Sequence, residues 1–208
     1  MNGERWAALW SRLSCPEGSR RFPVVEAAYA EGHRHYHTAR HIEECLDLFD
    51  QVAELADRPA ELELAIWMHD IVYRPRRTDN EERSAEMAAA WLEECEVDRV
   101  LIDRVRSLIM STRHTDAPLT HDEALLQDID LGVLGSDPQR FAEYEAEVRS
   151  EYPSIPSFLF RRRRVEILES FLRRAAIYRT AWFRERFERV ARRNLEGSIA
   201  AHRGHEER

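Results

Sequence analysis

The spacing of apolar residues constrains this chain most. Between Ala39 and about Ala56 they fall at Ile42, Cys45, Leu46, Phe49, Val52 and Ala56, one face of a helix. A second helix is predicted from Pro59 to Asp70, nearly apolar from Leu64 to Met68 and so buried on most sides. A third opens at Thr78, with Glu81 three residues later in capping-box spacing, and carries Ala85, Ala88, Leu92 and Cys95. A fourth spans Asp98 to Thr112. Polar residues and Pro118 make 113–123 a loop, and 131–135 reads as a short helical or turn piece. Asp137-Pro138 starts another helix, and the last two run from about Pro156 to Ala176 and from Tyr178 to Leu195. No segment alternates with the period of a strand. The expectation is all-α: one helical domain over residues 1–196, followed by a polar, disordered tail over 197–208.

Composition narrows the function. A chain of 208 residues that is 43% hydrophobic can bury one ordinary core. Its 7 glycines are too few for Gly-rich phosphate loops or many hairpins. The formal net charge of −8 disfavours a nucleic-acid duplex as partner, though a small anion can still meet a locally positive site. All 31 basic residues are Arg, which we ascribe to codon bias. Cys15, Cys45 and Cys95 match neither a disulfide framework nor a zinc ribbon. No apolar run is long enough for a membrane span, and the residues after Met1 do not read as a secretion signal, so a reducing cytoplasm is expected.

The chemistry concentrates in three places. His69-Asp70 ends the apolar helix, where a carboxylate beside an imidazole is costly unless compensated, and a metal ion compensates well. Taken alone, such a pair more often caps a helix in solvent. Upstream, His37 and His41 are four apart and share a helical face. Downstream, Asp128-Ile129-Asp130-Leu131 sets two acids in an apolar stretch. Mixed imidazole and carboxylate sets suit the harder metals.

In these residues the chain resembles the HD superfamily of metal-dependent phosphohydrolases, whose signature is a His, then His-Asp, then a distant Asp. Here that reads His41, His69-Asp70 and Asp130. A bacterial branch of predicted HD phosphohydrolases is similar in further pieces: Tyr36-His37, Ile71-Val72-Tyr73, Asn80-Glu81, Ser84-Ala85, Leu134-Gly135, Glu151-Tyr152, Arg164, Ile177-Tyr178 and Asn194-Leu195. The likeness extends from about Tyr29 to Leu195.

The resemblance implies a single HD-domain helical bundle in which His41, His69, Asp70 and Asp130 hold one divalent cation (Mn, Fe, Co, Ni or Mg). About two positions on an octahedral ion would stay open for water and a phosphate oxygen. Asp128 competes with Asp130 for the ligand role and otherwise supports the ligands from behind. Glu81, His114 and His37 would line the pocket as base, water-positioning or substrate groups. Asn80 and Arg164 would meet the substrate, with Arg164 alternatively pairing a carboxylate. For Glu81 the competing role is the capping box with Thr78, for His114 a polar loop position, and for Arg161–Arg164 a solvated helix face. The implied activity is hydrolysis of a phosphoester or phosphoanhydride in a small phosphorylated molecule, a nucleotide first, possessed by a monomer or homo-oligomer. Two other readings stay open: a di-iron HD-type oxygenase, and a metal- or nucleotide-binding sensor without turnover.

Overall fold

A computed structural model of the chain describes residues 1–115 and 119–204. Among these, every regular element is helical, and there is no strand. The all-α expectation is met. No described helix is long and apolar enough to cross a membrane. The chain divides into two compact units, Met1–Asp130 and Leu131–Arg208.

The first unit holds α1 (Gly3–Arg12), α2 (Phe22–Tyr29), α3 (Ala39–Val52), α4 (Pro59–Met68), α5 (Asn80–Glu93), α6 (Arg99–Ser111) and α7 (His121–Asp130). Its centre is α4, buried on all sides from Glu61 to Met68 and packed by α1, α3, α5, α6 and α7. Each fully buried Leu, Ile or Trp there contributes roughly 1.5–3 kcal/mol. Trp67 packs edge-on to Trp6 at 5.4 Å. Two glutamates lie inside this apolar helix and are neutralised in place. Glu61 takes a two-bond fork from Arg104, at 2.6 Å for each bond, while Glu63 accepts from Arg5 at 2.7 Å and from Arg12.

One predicted start shifts, and one helix opens where a loop was expected. The Thr78–Glu81 box does not form: α5 begins at Asn80, and Asp79 at its N-cap makes no side-chain cap. Arg77 and Arg83 take the Asp79 carboxylate, and Arg113 donates to the Thr78 carbonyl at 2.9 Å. Arginine forks outcompete a backbone N–H here. The reciprocal box forms instead at Thr120 and Glu123, where Thr120 N–H donates to Glu123 at 2.7 Å and Glu123 N–H to the Thr120 hydroxyl at 3.3 Å. It opens α7, so the expected 113–123 loop ends early. Residues 116–118 of that loop, Pro118 included, lie outside the described residues.

Cys15 and Cys95 are joined as a disulfide (Cα–Cα 5.5 Å) across 80 positions, a pairing the spacing did not suggest. It ties the turn after α1 to the end of α5. Cys45 is free and buried.

The second unit holds a short 3-10 turn, Leu131–Gly135, then α8 (Pro138–Ser150), α9 (Ser157–Leu172) and α10 (Ala181–Gly204). Asp137 caps α8, accepting from Gln139 N–H at 3.0 Å and Arg140 N–H at 3.1 Å. Tyr178 donates to the Leu131 carbonyl at 3.1 Å, and Asn194 to those of Leu134 and Ser136 at 2.9 and 3.0 Å. Gly135 is required, since a Cβ there would lie 2.7 Å from Phe187. No break falls at residue 197. α10 continues to Gly204 because Ile199 is buried, Ser198 donates to Glu145 at 2.7 Å, and His202 meets the same carboxylate at 3.2 Å. Residues 205–208 of the expected tail lie outside the described residues.

Candidate metal centre

Three helix ends of the first unit build the site. His41 stands in the first turn of α3, with Cys45 one turn on against its ring at 3.7 Å. At the C-terminal end of α4, His69 is the C-cap, its N–H still on the Ala65 carbonyl at 2.9 Å. Asp130 is the last residue of α7.

Their donor atoms converge. His41 Nε2 lies 3.2 Å from His69 Nε2 and 3.2 Å from Asp130 Oδ1. His69 Nε2 lies 3.5 Å from the same oxygen. These three residues form a group that could hold a metal ion. Asp70 Oδ2 adjoins it, 3.2 Å from His69 Nε2 and 3.6 Å from His41 Nε2. With metal–ligand bonds of about 2.1 Å, adjacent donors stand about 3.0 Å apart on an octahedron and about 3.4 Å apart on a tetrahedron. The three spacings of 3.2 Å fall in that range, and those of 3.5 and 3.6 Å lie just beyond it. The donors' other contacts fit as well: His69 Nδ1 lies 2.9 Å from the Ile66 carbonyl, which as an N–H donor leaves the Nε2 lone pair aimed into the cluster.

Electrostatics agree. Burial disfavours charge on His69, yet Asp70 and Asp130 outweigh it and hold its pKa well above the ordinary imidazole value. Burial likewise opposes ionisation of Asp70, but His69, His37 and His41 hold its carboxyl below the usual range. For Asp130 the opposing burial is outweighed by hydrogen bonds from His114, His41 and His69. With a metal bound both imidazoles would be neutral, and the two carboxylates would bring a formal −2 that a divalent cation balances.

No family model, curated protein or solved structure matches the chain.

The remaining candidates fall into two groups. His114, which has a left-handed backbone (φ 52°) just past α6, places Nε2 2.9 Å from Asp130 Oδ2. His37 stacks on Tyr73, ring centres 4.0 Å apart, with its ring centre 6.1 Å from that of His41. Both border the cluster. Asp128 is fully buried and is not among the three residues grouped there; two residues along a helix point some 200° apart, so Asp130 turns toward the cluster and Asp128 into another part of the interior. Glu81 faces Arg113 at 3.8 Å. Asn80 uses both ends of its amide on the Arg74 main chain, at 3.1 Å each, so it closes the loop after Asp70 and its amide is not free for a substrate. Arg164 belongs to the second unit, where it is buried on Glu145 (Nε to Oε1 3.0 Å) and over the Tyr144 ring. Of its two expected roles, the carboxylate partner is the one formed. Buried Arg34 was missed altogether.

Proposed function

We propose that the chain is a divalent-metal-dependent phosphohydrolase of a small phosphorylated molecule, with nucleotides as the leading substrate class. The observation that carries this reading is the convergence of His41, His69 and Asp130, with Asp70 beside them, at spacings a metal ion bridges. The reaction type and substrate class rest on the sequence resemblance. A divalent cation held there would acidify a water and polarise a phosphoryl oxygen.

The chain's own groups do the rest. Ile66 fixes the His69 ring, and His114 fixes the second oxygen of Asp130. His37, braced on Tyr73, is placed to meet a substrate group beside Asp70. Glu81 is held by Arg113, next to His114 in the chain, where it can orient water. We place the enzyme in the cytoplasm on the sequence reading; the Cys15–Cys95 disulfide stands against it, since such bonds persist in oxidising compartments.

The test is phosphate release from a panel of nucleotides and sugar phosphates by protein loaded in turn with Mn, Co, Ni and Mg. Release that EDTA abolishes and added metal restores is expected. Metal-loaded protein that hydrolyses no member of the panel would overturn the reading.

A further inference from the structure

The side chain of Arg34 is completely shielded from solvent, although it lies in a short, polar connection between α2 and α3. An arginine in that position is costly to bury unless each donor is used. Here the guanidinium reaches four acceptors. Nη1 donates to the carbonyls of Asp70 at 2.7 Å and His37 at 3.2 Å. Nη2 donates to the Ile71 carbonyl at 2.9 Å and Nε to Glu31 at 3.1 Å. The Tyr29 and Tyr73 rings lie 5.2 and 5.4 Å from its central carbon. Tyr29 in turn donates to the Trp67 carbonyl at 2.8 Å.

These acceptors are not arbitrary. Asp70 and Ile71 form the turn that carries the His69-Asp70 pair out of α4. His37 lies in the approach to α3, one helical turn before His41. The two segments are far apart in the chain, and Arg34 bonds to the main chain of both. We infer that Arg34 is a positioning residue: it fixes the His69-Asp70 turn against the His37–His41 segment and so sets the mutual placement of the metal-binding side chains. This rests on the metal-dependent reading above. Arg34 touches no donor atom of the cluster and acts only through the backbone it grips. Lysine cannot replace it, because an ammonium has no planar fork to serve carbonyls in three directions.

The test is a Co(II) titration of the parent, Arg34→Lys and Arg34→Gln, following both affinity and the visible absorption of bound Co(II), which reports ligand geometry. Each variant is also melted without metal. Arg34→Lys is expected to keep helical circular dichroism, to bind Co(II) about 10–100-fold more weakly, as loss of an outer support does, and to change the absorption bands. A lowered melting temperature with parental affinity and spectrum would make Arg34 merely structural and overturn the inference. Should neither variant fold, Glu31→Ala removes the acceptor of Nε while leaving the guanidinium. It is expected to weaken Co(II) binding several-fold, and parental binding would again overturn the inference. Failure of the metal reading shows in a different arm: the parent itself would take up no Co(II), and the inference would fall with it.

Discussion

The Nε2 atoms of His41 and His69 face each other at 3.2 Å in the buried interior, 28 positions apart in the chain. Two imidazole lone pairs cannot meet at that distance without a proton or a cation between them. The Nδ1 of His69 is already engaged by the Ile66 carbonyl, so a neutral His69 has only a lone pair to offer. The carboxylates of Asp70 and Asp130 alongside select for positive charge. A divalent cation could satisfy His41, His69 and Asp130 at once, with Asp70 beside them, which a single proton cannot do.

His114 separates two uses of Asp130, whose Oδ1 faces the cluster and Oδ2 faces His114. His114→Ala leaves the cluster donors in place but frees the carboxylate to rotate. Turnover is expected to fall about 10–100-fold, with one metal still bound per chain. Steady-state kinetics paired with metal analysis checks this, and loss of the metal along with activity would make His114 a ligand.

Asp128 and Asp130 are expected to fail differently. Asp130→Asn should weaken metal binding by more than about 100-fold, since loss of outer supports alone costs 10–100-fold. Asp128→Asn should cost about 1–3 kcal/mol of stability, as disturbing a buried polar group does, and leave metal binding intact. Calorimetric titration and denaturant melts of both variants distinguish them, and the opposite pattern would reassign the ligand.

Acid stability of the second unit should depend on Glu145. Burial alone would raise its pKa, but His202, Arg164 and Ser198 outweigh it and bring it from 4.5 down to about 2. A folded value below the unfolded one means the stabilisation is complete above about pH 4.5 and is lost as pH falls towards 2. Glu145→Gln should therefore lose stability at neutral pH, on the order of a few kcal/mol because Arg164 is left buried without its counter-charge. Its stability should also vary less with pH over that acid window. Melts from pH 7 to 2 test it, and parallel curves for parent and variant would refute the assignment.

Much of the fold was legible because apolar spacing reports helices directly. The buried stretch before His69, the helix starts at Asp98 and Asp137-Pro138 and the 131–135 turn are all close to where the residues suggested. Capping signals were harder to place. Thr78-x-x-Glu81 and Thr120-x-x-Glu123 have the same pattern, yet only the second forms a box, because the cap position of α5 falls on Asp79 rather than Thr78. The amphipathic C-terminus was misjudged because Ser198 and His202 look solvent-facing until Glu145 is set beside them. At the site, acidic and imidazole residue types pointed to the donors. Arg34 gave no such signal, because its partners are main-chain carbonyls, which every residue possesses. The Cys15–Cys95 pairing was likewise hidden, since it depends on how α1 and α5 pack rather than on spacing.

The most direct measurement is the metal content of the purified chain after equilibration with Mn(II) or Co(II), by elemental analysis, beside His69→Ala. One ion per chain in the parent and none in the variant is the expected result. An equal, low metal content in both proteins would contradict a centre at His41, His69, Asp70 and Asp130, and two ions per parent chain would favour the di-iron oxygenase over the one-metal hydrolase.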